Sequence, residues 1–187
     1  MIQLIEPYTE ENIRALKMGD MVHVTGVVYT GRDAVHKYLH EGGAPPVSLE
    51  NQMIYHCGPV VIKEKGKWAV KAAGPTTSIR EEPYQAHLIE RYKLRAVIGK
   101  GGMGPKTLEA CARFGCIYLH AVGGAAQVLA ECVTEVLGVY LEQFGSPEAI
   151  WAFRVKEFPA VVTMDSHGNS LHAAVLEQSK ERLKQLV

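Results

Sequence analysis

The chain has 187 residues, with 20 Lys+Arg against 20 Asp+Glu, so its formal net charge is zero. This length predicts one domain, residues 1–187, that can bury a core without a disulfide or a metal. Balanced charge argues against nucleic-acid binding, and no apolar run reaches the roughly 20 residues of a membrane helix. The four cysteines form no CxxC pair, and the start of the chain lacks a signal-peptide pattern. We therefore expect a cytoplasmic protein without nucleic-acid or membrane partners.

The first half of the chain is rich in predicted strands. Residues 20–29 alternate valine with polar residues and predict a strand, and Asp33 is expected to cap a helix over residues 34–40. After a Gly- and Pro-rich loop, a strand is predicted at residues 53–55. A hairpin follows, with strands at 60–62 and 68–70 and its turn at 64–67.

The second half predicts strands alternating with helices. A helix begins near Pro83, and the later elements are a strand at 96–98, a helix at 105–114, a strand at 117–121, a strand pair over 149–165 that turns at Phe158-Pro159, and an amphipathic helix from Ala173 with Leu176, Leu183 and Val187 in one stripe. These elements predict an α/β fold: one domain with a mixed sheet and helices packed around it.

A glycine-rich loop lies between the strand at 96–98 and the helix at 105–114. Gly99, Gly101 and Gly104 match a dinucleotide-binding pattern, but the second strand is followed by no acidic residue to hold a ribose. Pro105 interrupts the Gly-Lys-Thr of a phosphate loop, so both nucleotide sites are rejected. A carboxylate or single phosphate could bind at this helix N-terminus beside Lys100. The alternative is a tight turn with a solvated lysine.

Basic side chains follow three of the predicted strands. Arg32 comes after the first strand, Arg80 ends the run Gly-Pro-Thr-Thr-Ser-Ile-Arg (74–80), and Lys100 follows the strand at 96–98. Taken singly, each has an ordinary alternative as a surface ion pair, a capped helix start or a solvated lysine. Ligands of α/β sheets collect at such strand ends, so the three together predict a site for a small dicarboxylate.

Other reactive residue types have ordinary explanations. Cys111 and Cys116 are expected to pack in the core, and His36 and His40 to lie on a solvated helix face without a third metal ligand. The run Asp-Ser-His-Gly-Asn-Ser (165–170) contains the residue types of a catalytic triad, but neighbouring residues cannot form that arrangement. It predicts a turn with glycine in the left-handed region.

Five motifs occur together in the order seen in class I fumarate hydratases. They are Gly31-Arg32-Asp33-Ala34-Val35-His36, Tyr55-His56-Cys57-Gly58-Pro59, Gly74-Pro75-Thr76-Thr77-Ser78-Ile79-Arg80, Ile98-Gly99-Lys100-Gly101-Gly102-Met103 and Asp165-Ser166-His167-Gly168-Asn169-Ser170-Leu171. Over residues 5–176 the chain resembles the C-terminal portion of these enzymes, which is a separate β subunit in two-subunit versions. The β subunit of L-tartrate dehydratase is similar.

The resemblance implies a swivelling β/β/α domain and a hydro-lyase that interconverts fumarate and L-malate. It also implies a four-iron four-sulfur cluster, whose cysteines belong to the N-terminal or α part, so no metal ligand is expected in this chain. The expected partner is a cluster-bearing α subunit in a heterotetramer of two α and two β subunits, without which this chain would be inactive.

Residue roles follow from the same resemblance. Arg32, Arg80 and Lys100 would bind the substrate carboxylates, with Thr77 and Gly101 beside them. Thr76 would take part in proton transfer at the carbon next to a carboxylate, which a threonine can do only beside a carboxylate supplied by the partner. The resemblance gives His36 a supporting position behind these residues.

One departure from the pattern and three alternatives remain open. Glu81-Glu82 stand where many relatives have Met and Asp, so contacts just beyond Arg80 can differ. The substrate could be L-tartrate instead of fumarate. A non-catalytic module that binds small anions, or a structural domain that docks on an enzyme, would also fit the same basic junctions.

Overall fold

Residues 1–186 are described by the computed structural model, and they form nine strands and six α-helices. The strands are β1 (Ile2–Ile5), β2 (Met21–Thr30), β3 (Met53–Tyr55), β4 (Val60–Glu64), β5 (Lys67–Ala72), β6 (Ala96–Gly99), β7 (Ile117–His120), β8 (Val133–Tyr140) and β9 (Ile150–Met164). The helices are α1 (Glu10–Arg14), α2 (Asp33–His40), α3 (Glu82–Tyr92), α4 (Pro105–Phe114), α5 (Ala126–Glu131) and α6 (Leu171–Leu186). Short 3-10 helices cover Ser78–Glu81 and Glu142–Phe144.

Five of the strands close into a ring. β2, β3, β6 and β7 run parallel in that order. β9 is antiparallel to both β7 and β2 and joins the two ends. β1 adds to β2, β8 adds to β9, and β4 and β5 form a separate antiparallel hairpin. The carboxyl ends of β2, β3 and β6 therefore lie side by side at one rim of the ring.

Two apolar cores lie on the two sides of the ring. Alternate residues such as Val24, Tyr55 and Phe158 face a core enclosed by the strands. The intervening residues, such as Val97, pack with Leu88 and other helix residues in a second core. This alternation is what a sheet buried on both faces requires. It confirms the predicted mixed α/β fold with helices around the sheet.

Most predicted elements are confirmed, including the hairpin, the helix at 105–114 and the strands at 53–55, 96–98 and 117–121. The predicted strand pair over 149–165 is wrong, because β9 is one continuous strand of 15 residues. Pro159 is paired with His23 of β2, whereas β8 ends its pairing at Val155 and β7 begins at Val161. On one side of β9, no neighbouring strand within residues 1–186 pairs with Pro159, so its missing N–H donor is tolerated there. β1, α1, α5 and β8 had no sequence prediction.

The last helix, α6, runs along the outside of the molecule. Its predicted charged face is confirmed by ion pairs of 2.7 Å between Glu177 and Lys180 and between Glu181 and Lys184. The predicted apolar stripe is not buried, since Leu176 and Leu183 are 55% and 60% exposed; its third member, Val187, lies outside the described residues. Within residues 1–186, no helix has the length and apolar character needed to cross a membrane.

Candidate functional site

Backbone hydrogen bonds join two of the basic junctions, those of Arg80 and Lys100, at the rim of the ring. The segment that precedes α3 crosses from β3 to β6. The Thr76 N–H donates to the His56 carbonyl at 2.7 Å, and the Lys100 N–H donates to the Thr76 carbonyl at 3.3 Å. The Ser78 N–H then donates to the Lys100 carbonyl at 3.0 Å. These bonds hold Thr76 and Thr77 beside Lys100, with the Thr77 side chain exposed to solvent.

Arg80 connects this segment to the start of α2. Its Nη2 donates to Oγ1 of Thr76 at 3.1 Å and lies 3.1 Å from Oδ2 of Asp33. The side chains of Arg80 and Asp33 are 43% and 48% exposed, and exposed ion pairs contribute about 0–1 kcal/mol. The guanidinium is therefore accessible to an incoming carboxylate, which would displace Asp33 from it.

Arg32 stands at the N-cap of α2, at the end of β2. Its Nε lies 3.1 Å from Oε1 of Glu148, and both side chains are half-buried. The prediction that Asp33 caps this helix is wrong, because the helix begins at Asp33 itself and Arg32 makes no side-chain cap bond. Instead, Oε2 of Glu148 accepts the free N–H of Ala34 at 3.0 Å. Glu148 thus fixes both Arg32 and the first turn of α2.

Lys100 and Gly101 begin the glycine-rich loop after β6. Among residues 1–186, no carboxylate lies within ion-pair distance of the partly exposed Lys100. Gly101 has a φ of +83°, a conformation that favours glycine, and it leaves open space where a side chain would stand. The ammonium group and this gap give an anion an unobstructed approach.

The N-terminus of α4 is filled by a carboxylate of the chain itself. Oε2 of Glu82 accepts from the Gly104 N–H at 2.8 Å and from the Thr107 hydroxyl at 2.6 Å. Oε1 accepts from the N–H groups of Lys106 at 3.0 Å and Thr107 at 3.2 Å. The sequence predicted that a bound carboxylate or phosphate could occupy this helix terminus, but the group found there is the Glu82 side chain. These amides are not available to a substrate.

A chain of buried polar groups lies beneath the three junctions. His36 Nδ1 contacts the Arg32 carbonyl at 2.9 Å, and the Gln85 amide lies 2.9 Å from Nε2 of both His36 and His56. His56 Nδ1 is 2.8 Å from Oγ of Ser78, which also accepts from the Tyr118 hydroxyl at 2.8 Å. Burial lowers the pKa of both histidines, so both rings are neutral near pH 7.

The sequence predicts two positions for His36, a solvated helix face and a place behind the basic residues, and the structure contradicts the first. Its ring is fully buried, so the predicted solvated face is wrong for His36 and holds only for the exposed His40. His36 touches the Arg32 carbonyl and, through Gln85 and His56, the segment that carries Thr76 and Arg80. It therefore lies directly behind the basic junctions.

The cysteines do not form a cluster site. Cys57, Cys111 and Cys116 are fully buried, and burial raises the pKa of the Cys57 thiol to about 12. Cys111 and Cys116 pack in the core between the sheet and the helices, which confirms their prediction. Nowhere in residues 1–186 do three His, Cys, Asp or Glu side chains gather in a way that could hold a metal. These residues therefore do not fit the iron–sulfur cluster that the resemblance implies.

The Asp165 motif forms the predicted turn, with Gly168 at a φ of +86°. The buried Asp165 carboxylate accepts from the N–H groups of Met18, His167 and Asn169 and from the Asn169 side chain, at 2.9–3.0 Å. Burial raises the pKa of this carboxyl, but the four donors outweigh that effect and the net pKa is lowered. The motif joins the end of β9 to α6.

Sequence reasoning missed the acidic residues that organise the site. The sequence suggested Asp33 only as a helix cap or as a surface ion-pair partner of Arg32, whereas Arg32 pairs with Glu148 and Asp33 with Arg80. It suggested no role for Glu148. Glu81 and Glu82 were noted only as a departure from relatives. Glu148 is 114 positions away from the Ala34 amide that it caps, so no local pattern could reveal the contact. The adjacent Glu81 and Glu82, at the start of α3, were the one sequence pattern that pointed to acidic residues in the site.

Comparisons with known proteins identify relatives of the chain. The family model described as Fumarase C-terminus matches residues 1–175. A Geobacillus stearothermophilus protein provisionally named fumarate hydratase class I is 60% identical over 186 residues, covering 99% of this chain and 36% of the relative. The L(+)-tartrate dehydratase subunit beta of Escherichia coli (strain K12) is 38% identical over 186 residues, covering 98% of this chain and 92% of the relative.

An archaeal relative, provisionally named L(+)-tartrate dehydratase subunit beta in Methanocaldococcus jannaschii, is also 38% identical, with 96% and 95% of the two chains covered. The chain thus spans about a third of the Geobacillus relative and nearly all of each β subunit. With the family model matching residues 1–175, the chain belongs to the Fumarase C-terminus family.

Proposed function

We propose that this chain, as one domain, is the β part of a hydro-lyase that interconverts fumarate and L-malate by reversible hydration. One observation carries the proposal: Arg32 and Lys100 follow two strands of the ring, the segment that carries Arg80 is hydrogen-bonded to Lys100, and the Arg80 guanidinium donates to Thr76 Oγ1 at 3.1 Å. A dicarboxylate needs several cations at fixed spacing, and two arginines can each bind a carboxylate through two parallel hydrogen bonds. The 60% identity to a protein provisionally named fumarate hydratase supports this reaction.

Arg80 and Thr76 would act together on the substrate. In the dehydration direction, Thr76 Oγ would take the proton from the carbon next to a bound carboxylate. The C–H electron pair then forms the double bond as hydroxide leaves the neighbouring carbon. A hydrogen bond from a guanidinium stabilises negative charge on Oγ, which favours its action as a base. The hydroxyl proton of Thr76 still needs an acceptor, and we assign that role to a carboxylate of a partner subunit.

Lys100, Thr77 and Gly101 would hold the second carboxylate. The exposed ammonium of Lys100 supplies the charge, the Thr77 hydroxyl a hydrogen bond, and the open backbone at Gly101 the room for close approach. His36, behind Arg32, would keep that arginine's backbone in place through its 2.9 Å contact with the carbonyl.

A partner subunit completes the proposed enzyme. Two relatives that match almost end to end are named as β subunits, which supports an α subunit that this chain docks onto, in a heterotetramer of two α and two β. The resemblance to class I fumarate hydratases supports a four-iron four-sulfur cluster. Since the cysteines of this chain do not fit one, we assign the cluster to the partner. The chain would then be inactive alone, in the cytoplasm with its partner.

L-tartrate is the second candidate substrate. The chain covers 92% of the Escherichia coli tartrate dehydratase β subunit but only 36% of the Geobacillus relative. The relatives named as tartrate dehydratase β subunits therefore favour L-tartrate, whereas the higher identity of 60% favours fumarate.

The test is turnover of fumarate, L-malate and L-tartrate under anaerobic conditions, with the chain alone and co-expressed with a cluster-bearing partner. We expect activity only in the pair. Thr76→Val should lower kcat by about 100- to 10,000-fold, as loss of a general base does, and Thr76→Ser should restore part of it. A pair with verified cluster content that turns over none of the three substrates would contradict the proposed function.

Matched variants separate substrate binding from general loss of charge. Lys100→Met should raise KM about 10- to 100-fold, the cost of losing one charge-assisted hydrogen bond. Lys106→Met is its control, because Lys106 flanks the same loop but is exposed on α4. Equal effects of the two changes would remove Lys100 from the binding site.

A further inference from the structure

Glu81 is a buried acid without a hydrogen-bond donor. It ends the 3-10 helix next to Arg80 and is completely excluded from solvent. Neither carboxyl oxygen receives a hydrogen bond from any of residues 1–186. An ionised carboxylate in such a place is strongly unfavourable, so a buried acid that persists there is neutral or has an unrecognised partner.

Within the described residues, none of the groups that face Glu81 is a positively charged side chain free to pair with it. From α2 come Asp33 and His36, with His36 Nδ1 at 3.8 Å from Oε2 of Glu81. The proton on that nitrogen is already donated to the Arg32 carbonyl. Arg80 is committed to Asp33 and Thr76, and Glu148 adds a further negative charge from the loop before β9.

The protonation of Glu81 follows from this environment. Burial, and next the negative charge of Asp33, raise the pKa of the Glu81 carboxyl to about 8, against a smaller opposite effect of Arg80. A hydrogen bond between the Glu81 and Asp33 carboxyl groups requires that one of them carries a proton, and near pH 7 that proton is on Glu81.

We propose that Glu81 is a positioning residue for Arg80: as a neutral acid it donates its proton to Asp33, so that Asp33 can release Arg80 to a substrate carboxylate. This inference rests on the proposed function, since it assigns Arg80 a substrate to bind. Without the bond from Glu81, an Asp33 that has lost Arg80 would be an unpaired anion near Glu148. With it, the negative charge is shared over two carboxyl groups.

Ionisation of Glu81 reverses the effect. Above about pH 8 the carboxylates of Glu81 and Asp33 together hold Arg80 in its ion pair and repel an anionic substrate. KM for a dicarboxylate should therefore rise above that pH, by about tenfold per pH unit for one linked proton, while kcat at saturation stays unchanged.

The kinetic test compares Glu81→Gln with the unsubstituted chain in the assembled enzyme, using fumarate and L-malate from about pH 6.5 to about pH 9.5. Glutamine keeps a donor toward Asp33 and does not ionise, so its KM should stay flat across this range. Glu81→Met has no donor and should raise KM at every pH. Glu90→Gln, an exposed change on α3, should keep the unsubstituted profile. A Glu81→Gln enzyme whose KM still rises above pH 8 would overturn the proposal.

A second measurement does not depend on turnover. Infrared spectra of the chain alone should show the carbonyl stretch of a protonated carboxyl group at pH 7, lost in Glu81→Gln and titrating near pH 8. Absence of that band in the unsubstituted chain would overturn the proposal whatever the activity. If the assembled pair has no activity, calorimetric binding of fumarate across the same pH range replaces KM, and flat affinity in the unsubstituted pair would equally overturn it.

Discussion

The Glu82 side chain links α3 to α4 and to the glycine-rich loop, so its substitution should lower the free energy of unfolding. Four donors converge on this one carboxylate, from Gly104, Lys106 and twice from Thr107. Hydrogen bonds to a charged group are each worth about 1.5–3 kcal/mol, and a buried donor left unpaired costs about 1–3 kcal/mol. The Lys106 amide is exposed and can bind water instead, whereas Thr107 is fully buried.

The expected loss is therefore less than the sum of four bonds. The two Thr107 donors are the main ones that would be left unpaired, so Glu82→Ala should lower the free energy of unfolding by about 3 kcal/mol. Glu82→Gln keeps one oxygen acceptor and should lose about half as much. The assay is equilibrium unfolding in urea at pH 7, with Glu109→Ala, an exposed change on α4, as the control within about 0.5 kcal/mol of the unsubstituted chain. A loss below about 1 kcal/mol for Glu82→Ala would refute the argument that these bonds anchor the loop.

Two further predictions concern stability. Because the folded-state pKa of Asp165 is lowered, its carboxylate stabilises the fold above the ordinary pKa of an aspartate and that contribution is lost as the pH falls through the lowered value. Asp165→Asn should thus destabilise the chain at pH 7 but less so in acid, and urea curves with equal losses at both would contradict this. Gly99→Ala would force a methyl group against the Ser78 hydroxyl and close to Tyr118 and His56, so Tm should fall by several degrees. Gly123→Ala meets only the Lys100 side chain, at 3.4 Å, and a similar fall in both variants would count against the clash.

The sequence predicted the strands and helices best where hydrophobic patterns were local. α4 runs from Pro105 to Phe114, as expected, because a proline suits the first turn and Gly115 ends the helix in the left-handed region. β9 was misjudged at Phe158-Pro159, since the sequence cannot show that one side of a strand is open. The sequence also could not show that the apolar stripe of α6 is exposed, because periodicity indicates an apolar face but not what covers it.

The site was predictable in its basic residues and not in its acidic ones. Arg32 and Lys100 come within two residues of the ends of ring strands, so strand order brings them to one rim. The segment that carries Arg80 is held there by its backbone hydrogen bonds to Lys100. Glu148 and Glu82 reach their partners across 114 and 22 or more positions of chain, and such contacts leave no trace in residue spacing. Glu81 differs again, because its protonation depends on burial, which only the folded arrangement determines.

β6 has a consequence for how the rim moves. This short strand is buried throughout and hydrogen-bonded to parallel strands on both sides. Its amides can therefore exchange with solvent only through large-scale opening, which makes it part of the slowest-exchanging unit of the chain. Lys100 is attached directly to that unit, so its backbone contributes almost no entropy loss when an anion binds. We therefore expect a ligand to change the side-chain rotamers of the site on binding and to leave the backbone at Lys100 unchanged.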